Sequence, residues 1–152
     1  MSYKTVEDGV AVIIKKISGY DDNNVSQGDN RILGRGKIKA VVLQRGLTNP
    51  REQLTMGSSP AMMNRWVVNA ELLIPFTTSA QEVPTTVRDE TQKIVDEIDK
   101  WPKLAGVSGV LDSTILFIPE PEAWDLGDGP GRWWRQIIPI SIEEVTEAVR
   151  SE

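Results

Sequence analysis

Thr86-Val87-Arg88-Asp89-Glu90-Thr91-Gln92-Lys93-Ile94-Val95-Asp96-Glu97-Ile98-Asp99-Lys100-Trp101 is the stretch on which the reading of this chain turns. Val87, Thr91, Ile94, Val95, Ile98 and Trp101 recur at steps of three and four and so line one side of a helix. Arg88, Asp89, Gln92, Lys93, Asp96, Glu97 and Lys100 take the other side. Thr86 and Asp89 form a slightly non-ideal capping pair, and Pro102 followed by Gly106 closes the far end. One apolar stripe needs one apolar partner, and strand-like runs flank the stretch on both sides. The pattern predicts an α+β fold in which this helix lies across an antiparallel or mixed sheet of about four main strands, with a second helix at the N-terminus.

A chain of 152 residues fits one domain, residues 1–152, around a single core. Its 39% apolar and 26% charged residues argue against disorder and against a fibrous chain. No apolar run approaches the roughly 20 residues that span a bilayer, so no membrane association is expected. Met1 to Lys16 lacks the features of a cleaved secretory signal, which makes synthesis in a cytoplasm the default. Cysteine and histidine are both absent. Their absence removes disulfides, thiol nucleophiles, serine–histidine triads and most transition-metal sites, so no cofactor or metal is expected and the chain does not read as an enzyme. A net charge of −5 opposes tight binding to a phosphate backbone.

Along the chain, Val6, Val10, Ile13, Ile14 and Ile17 repeat at helical spacing from Thr5 to Ile17, with Glu7 and Asp8 expected in the first turn and Lys15 and Lys16 in the last. Asp21 to Asn30 reads as loop, and Lys37 to Gln44 as a strand covered on both faces. Arg45 to Arg65 reads as a long irregular connection, well above the median of about 4–6 residues. Trp66 to Phe76 alternates cleanly as a strand. Val110 to Ile118 gives another, with Leu111, Ile115 and Phe117 set inward. Glu120 to Arg132 is an acidic, glycine-rich linker, and Trp133 to Glu144 is the final strand, with Trp134, Ile138, Ile140 and Ile142 on one face. Pro139 there suggests an edge or a bulge, and Val145 to Glu152 reads as a frayed end.

Asp21, Asp22, Asn23, Asn24 and Asp29 could suggest a calcium loop, but counting from Asp22 puts Gln27 at the glycine position and Leu33 at the glutamate position, so a solvated loop is the reading. Gly34-Arg35-Gly36-Lys37 lacks the first glycine and the hydroxyl of a phosphate-binding loop, and reads as a lead-in to a strand. The Asn24-Val25-Ser26 sequon has no secretory context. Glu120, Glu122, Asp125 and Asp128 beside Trp124, Trp133 and Trp134 allow a carboxylate pair with a sugar-stacking platform, weighed against aromatics that pack under the loop or against another subunit. Leu54, Met56, Met62 and Met63 give the long connection an adaptable apolar surface. With Trp124 and Trp133 they form the candidate subunit or tube interface; no catalytic residue is assigned.

The order of elements, with Val6-Glu7-Asp8-Gly9, then Asn24-Val25-Ser26-Gln27-Gly28-Asp29, then Ala40-Val41-Val42-Leu43, and a closing run of tryptophans followed by Arg135-Gln136-Ile137-Ile138-Pro139-Ile140, resembles the tail terminator or tail completion proteins of long-tailed bacteriophages. The likeness covers most of the chain, and its motifs are strand and loop patterns rather than active-site fingerprints. It implies an α+β virion protein, assembled in the host cytoplasm into a homo-oligomeric ring, commonly a hexamer. The ring caps the head-proximal end of the tail tube, contacts the tail tube protein and the head-completion or connector protein, and meets DNA only in passage through its lumen. A head-tail connector or tail tube subunit is the alternative within this class. A carbohydrate-binding or carboxylate-dependent hydrolytic domain, or a generic cytoplasmic adaptor, are alternatives outside it.

Overall fold

The computed structural model describes residues 3–28, 39–46, 52–56, 59–75, 85–104, 107, 110–125 and 132–147. Two helices, α1 (Tyr3–Lys15) and α2 (Thr85–Lys100), pack on one mixed sheet. Its strands are β1 (Val25–Gln27), β2 (Ala40–Arg45), β3 (Glu52–Met56), β4 (Ser59–Pro75), β5 (Val110–Ile115), β6 (Glu122–Asp125) and β7 (Arg132–Glu147). The class is the expected α+β, with more strands than the four main ones read from sequence, which correspond to β2, β4, β5 and β7.

Two long antiparallel strands form the middle of the sheet, in register from Ala61↔Glu147 to Pro75↔Trp133. On the far side of β4, β2 pairs with its second half and β3 with its beginning. On the far side of β7, β5 and β6 pair with different lengths of it. β1 adds to β2 in parallel and completes the path β1-β2-β4-β7-β5.

Strand alternation sorts the side chains into two layers. Val41, Leu43, Val68, Ala70, Leu72, Ile138, Ile140 and Ile142 meet Val6, Val10, Ile13 and Ile14 of α1 and Val87, Ile94 and Ile98 of α2 in the main core. Ala40, Val42, Leu73 and Trp133 form a second, smaller cluster. Burial of β2 on both faces explains its unbroken apolar run.

Several boundaries move from their expected places. α1 starts at Tyr3, so Glu7 and Asp8 fall in its second turn and its first turn holds no acid; Ile17 lies beyond its end. In α2 the stripe includes Glu90, which is buried, whereas Trp101 lies just past the helix and is exposed. The turn after α2 is closed by Leu104, in the left-handed region at φ 55°, whose N–H donates to the Trp101 carbonyl at 3.0 Å. Gly106, expected there, lies outside the described residues. The segment expected as loop from Asp21 to Asn30 contains β1, because Val25 and Ser26 are buried against β2. Arg45 to Arg65 is not irregular: it contains β3 and the start of β4. Likewise Glu120 to Arg132 contains β6, and Val145 to Glu147 continue β7, while residues 148–152 lie outside the described residues.

Pro139 sits in an interior strand whose register with β4 is unbroken, neither the edge nor the bulge expected for it. The Leu116 N–H donates to the Pro139 carbonyl at 3.1 Å, so the Pro139 carbonyl, and with it the proline nitrogen, points toward β5 and β6. β5 stops at Ile115, opposite Ile140, and β6 begins at Glu122, opposite Arg135. The missing donor therefore falls in the break between two outer strands and leaves the ladder to β4 intact.

Candidate assembly surface

Leu54, Met56, Met62 and Met63, read from sequence as a candidate interface on a long irregular connection, stand on β3 and β4. Leu54 faces Ala61, Met56 faces Ser59, and Met62 and Met63 face Gln53 and Glu52 across the β3–β4 pairing. The sheet thus continues past Glu144 as a three-stranded arm of β3, β4 and β7. Among the described residues, neither the outer edge of β3 nor that of β7 from Val145 to Glu147 has a strand partner.

The root of the arm is tied down from both layers. The Arg45 guanidinium lies 5.2 Å from the Tyr3 ring and 5.6 Å from the Trp66 ring, and the two rings are 6.2 Å apart. Burial pushes the Tyr3 phenol above its ordinary range, and the Glu7 carboxylate beside it adds to the rise. On the opposite face Arg65 reaches Glu143 at 3.5 Å.

Trp124 and Trp133, the other two candidates, are opposite each other across β6 and β7. Trp133 is only 1% exposed in the second core cluster, so it is not available as an interface residue in the folded chain. Trp134 is also buried, on the other face, and Glu122 is engaged by Arg135 at 3.2 Å, which in turn bonds Glu71 at 2.6 Å. The carboxylate-and-tryptophan grouping is therefore largely a packed corner; Asp128 lies outside the described residues. Nor does the fold gather the six candidates. Met62 and Pro75, the latter paired with Trp133, are 13 positions apart on β4, roughly 40 Å at about 3.4 Å per residue.

The structure displays an apolar surface to which the sequence reading gave no role. Leu116, Phe117 and Ile118 are 50%, 64% and 48% exposed, just beyond β5, although Phe117 was expected to point into the core. A bulge between Val110 and Asp112 breaks the alternation, and the strand ends before Phe117. The signal available in the sequence was Pro119 and Pro121, which end pairing early.

A buried polar cluster fastens α2 to the sheet. Glu90 accepts from the Tyr20 hydroxyl at 2.7 Å and from the Lys39 and Lys93 ammonium groups at 3.0 Å each, and Lys39 also lies 4.6 Å from the centre of the Tyr20 ring. Burial alone would raise the Glu90 carboxyl, but the hydrogen bonds from Tyr20, Lys93 and Lys39 outweigh it and hold it below its ordinary value. Burial, followed by the Glu90 hydrogen bond, pushes the Tyr20 phenol up.

In the loop once weighed for calcium, Asp21 accepts from the Asn23 N–H and Asn24 accepts from the Asp21 N–H, both at 2.8 Å, so these oxygens hold a turn. Among the described residues no cluster of three or more metal-ligating side chains occurs, and no helix is long and apolar enough to cross a membrane.

The sequence matches no family model and no curated protein. One of the solved structures that match it, under a name that states no function, is 13% identical over 100% of this chain and 99% of its own, with a TM-score of 0.39. A likeness that low carries no argument about function.

Proposed function

We propose that this protein is a ring-forming tail terminator that caps the head-proximal end of a phage tail tube and offers a surface to the head-completion proteins. The observation that carries the reading is the three-stranded arm, which ends in two strand edges with no partner among the described residues. Such edges are templates for pairing with another chain, and β3, Glu52-Gln53-Leu54-Thr55-Met56, has none of the lysines or prolines that usually blunt them. The resemblance in strand and loop pattern, including Asn24-Val25-Ser26-Gln27-Gly28-Asp29, supports the same reading. A net charge of −5 suits a conduit through which DNA passes without sticking.

Electron micrographs of the purified protein, alone and mixed with tail tubes, test it. Rings at one tube end are expected; rings stacked into tubes would indicate a tube subunit, and binding only to head connectors a connector. A variant with residues 48–63 replaced by a short Gly-Ser linker is expected to keep a cooperative thermal transition, because core pairing from Arg65 onward remains. It should fail to form rings on tube ends. If that variant caps tubes normally, the arm is not the assembly element.

A further inference from the structure

Backbone alternation fixes which groups the two open edges of the arm present. The Pro139 carbonyl accepts from the Leu116 N–H and so points away from β4, and counting along the unbroken β4–β7 register turns Val145 and Glu147 outward in the same sense. On β4 the Val67 carbonyl accepts from the Gly46 N–H on the side away from β7, and the same count directs Ala61 and Met63 to β3. Their opposites, Leu54 and Glu52, point inward, which leaves Gln53 and Thr55 with N–H and C=O turned outward. Each edge therefore offers two residues, two positions apart, and none of the four has a strand partner on that side among the described residues. β3 and β7 are both antiparallel to β4, so the two edges run in the same direction.

We propose that the outer edge of β3 in one copy pairs in parallel with the tail of β7, Val145 to Glu147, in a second copy of this chain. This rests on the ring reading above and names the contact that closes the ring. With Gln53 set opposite Thr146 of the second copy, the Gln53 N–H and C=O bond the Val145 carbonyl and the Glu147 N–H of that copy, and the Thr55 N–H donates to the Glu147 carbonyl of that copy. In this register Glu52 meets Val145 and Leu54 meets Glu147, so no carboxylate lies opposite another. The other pairings are poorer. Two β7 tails side by side would bring together Glu143, Glu144 and Glu147 of both copies, and two β3 edges would stop at a dimer with both tails open. A foreign strand would cover one edge and leave the other. A second copy brings the complement of both edges, since each copy then gives one and receives one, as a cyclic arrangement requires. So few backbone bonds make a weak contact singly, and closure strengthens it because a copy leaves only when both of its contacts break.

The chain has no cysteine, so an introduced pair reports the contact directly. Within one copy Gln53 and Thr146 lie two strand spacings apart across Met62, roughly 10 Å, beyond the limit of about 7 Å for a disulfide. The full chain carrying both Gln53→Cys and Thr146→Cys should therefore give, on mild oxidation, a ladder of covalent oligomers larger than a dimer. Gln53→Cys and Thr146→Cys proteins should give covalent dimers when mixed, and neither should do so alone. In ultracentrifugation Thr55→Pro should weaken association at least tenfold while keeping the circular dichroism of the parent, because the N–H it removes points away from β4. A parent that stays monomeric, or a double-cysteine protein that does not cross-link, would overturn the proposal. Gln53→Cys protein that links to itself would overturn it in favour of a two-fold pairing of β3. If rings cap tubes with no cross-link and no effect of Thr55→Pro, the ring reading stands and this contact falls. Thr55→Pro rings that form normally but no longer bind tubes would assign the β3 edge to the tube protein instead. A cross-linked ladder from protein that never caps tubes would keep this contact and remove the terminator function.

Discussion

Glu90 lies within the apolar stripe of α2, only 6% exposed, and by residue type alone it would be assigned to solvent. Two of its partners come from distant points of the chain, Tyr20 after α1 and Lys39 before β2, and the third, Lys93, stands one turn on. No local pattern reveals such a convergence, which is why the sequence shows Ile94 and Ile98 as core but hides the carboxylate one turn before them. Because the folded state holds the Glu90 carboxyl below its ordinary value of 4.5, its stabilising effect is fully present above that pH and is lost as pH falls through the lower folded value. Glu90→Gln should therefore melt lower than the parent at neutral pH and lose less on acidification below 4.5, and thermal melts across that range check it. Equal slopes in parent and variant would mean the cluster does not govern acid stability. The stripe itself gives a simpler expectation. Ile94→Ala or Ile98→Ala, each at a fully buried position, should cost about 2–5 kcal/mol in denaturant melts, and a cost under about 0.5 kcal/mol would place that face in solvent.

Among the elements, α1, α2, β2, β4 and β7 were legible because their periodicity is carried by their own residues. The shorter strands were not. β1, β3 and β6 are three to five residues long and owe their form to the strand they add to, so their own composition reads as loop. The candidate site fared likewise: Leu54, Met56, Met62 and Met63 were picked out, but as loop rather than sheet, and Trp133 was read as surface although it packs on Val42 and Leu73. β7 shows how a tertiary context overrides a local rule, since Pro139 is tolerated in an interior strand by the break between β5 and β6. Gln136 bridges that break, its side-chain amide donating to the Pro119 carbonyl at 2.7 Å from a position only 3% exposed. Gln136→Ala should cost about 1–3 kcal/mol, from the lost hydrogen bond to a half-buried carbonyl together with the void left at a buried position. It should also speed hydrogen exchange at the Leu116 amide, which bonds Pro139 in the same break. Unchanged exchange at Leu116 would show that the segment is held without Gln136.

At the scale of the whole molecule, one core joins both helices to the central strands, so the subunit should unfold in a single transition. If copies associate into the ring proposed above, that transition is coupled to assembly, and stability depends on protein concentration by mass action. For a ring of about six copies, a tenfold rise in concentration stabilises each subunit by roughly 1 kcal/mol. In a chain of this size that raises the melting temperature by about 2–4 °C. A dilution series of thermal melts over two decades of concentration should therefore show the melting temperature rising steadily with concentration. A flat line, at concentrations where ultracentrifugation shows monomer, would remove the ring.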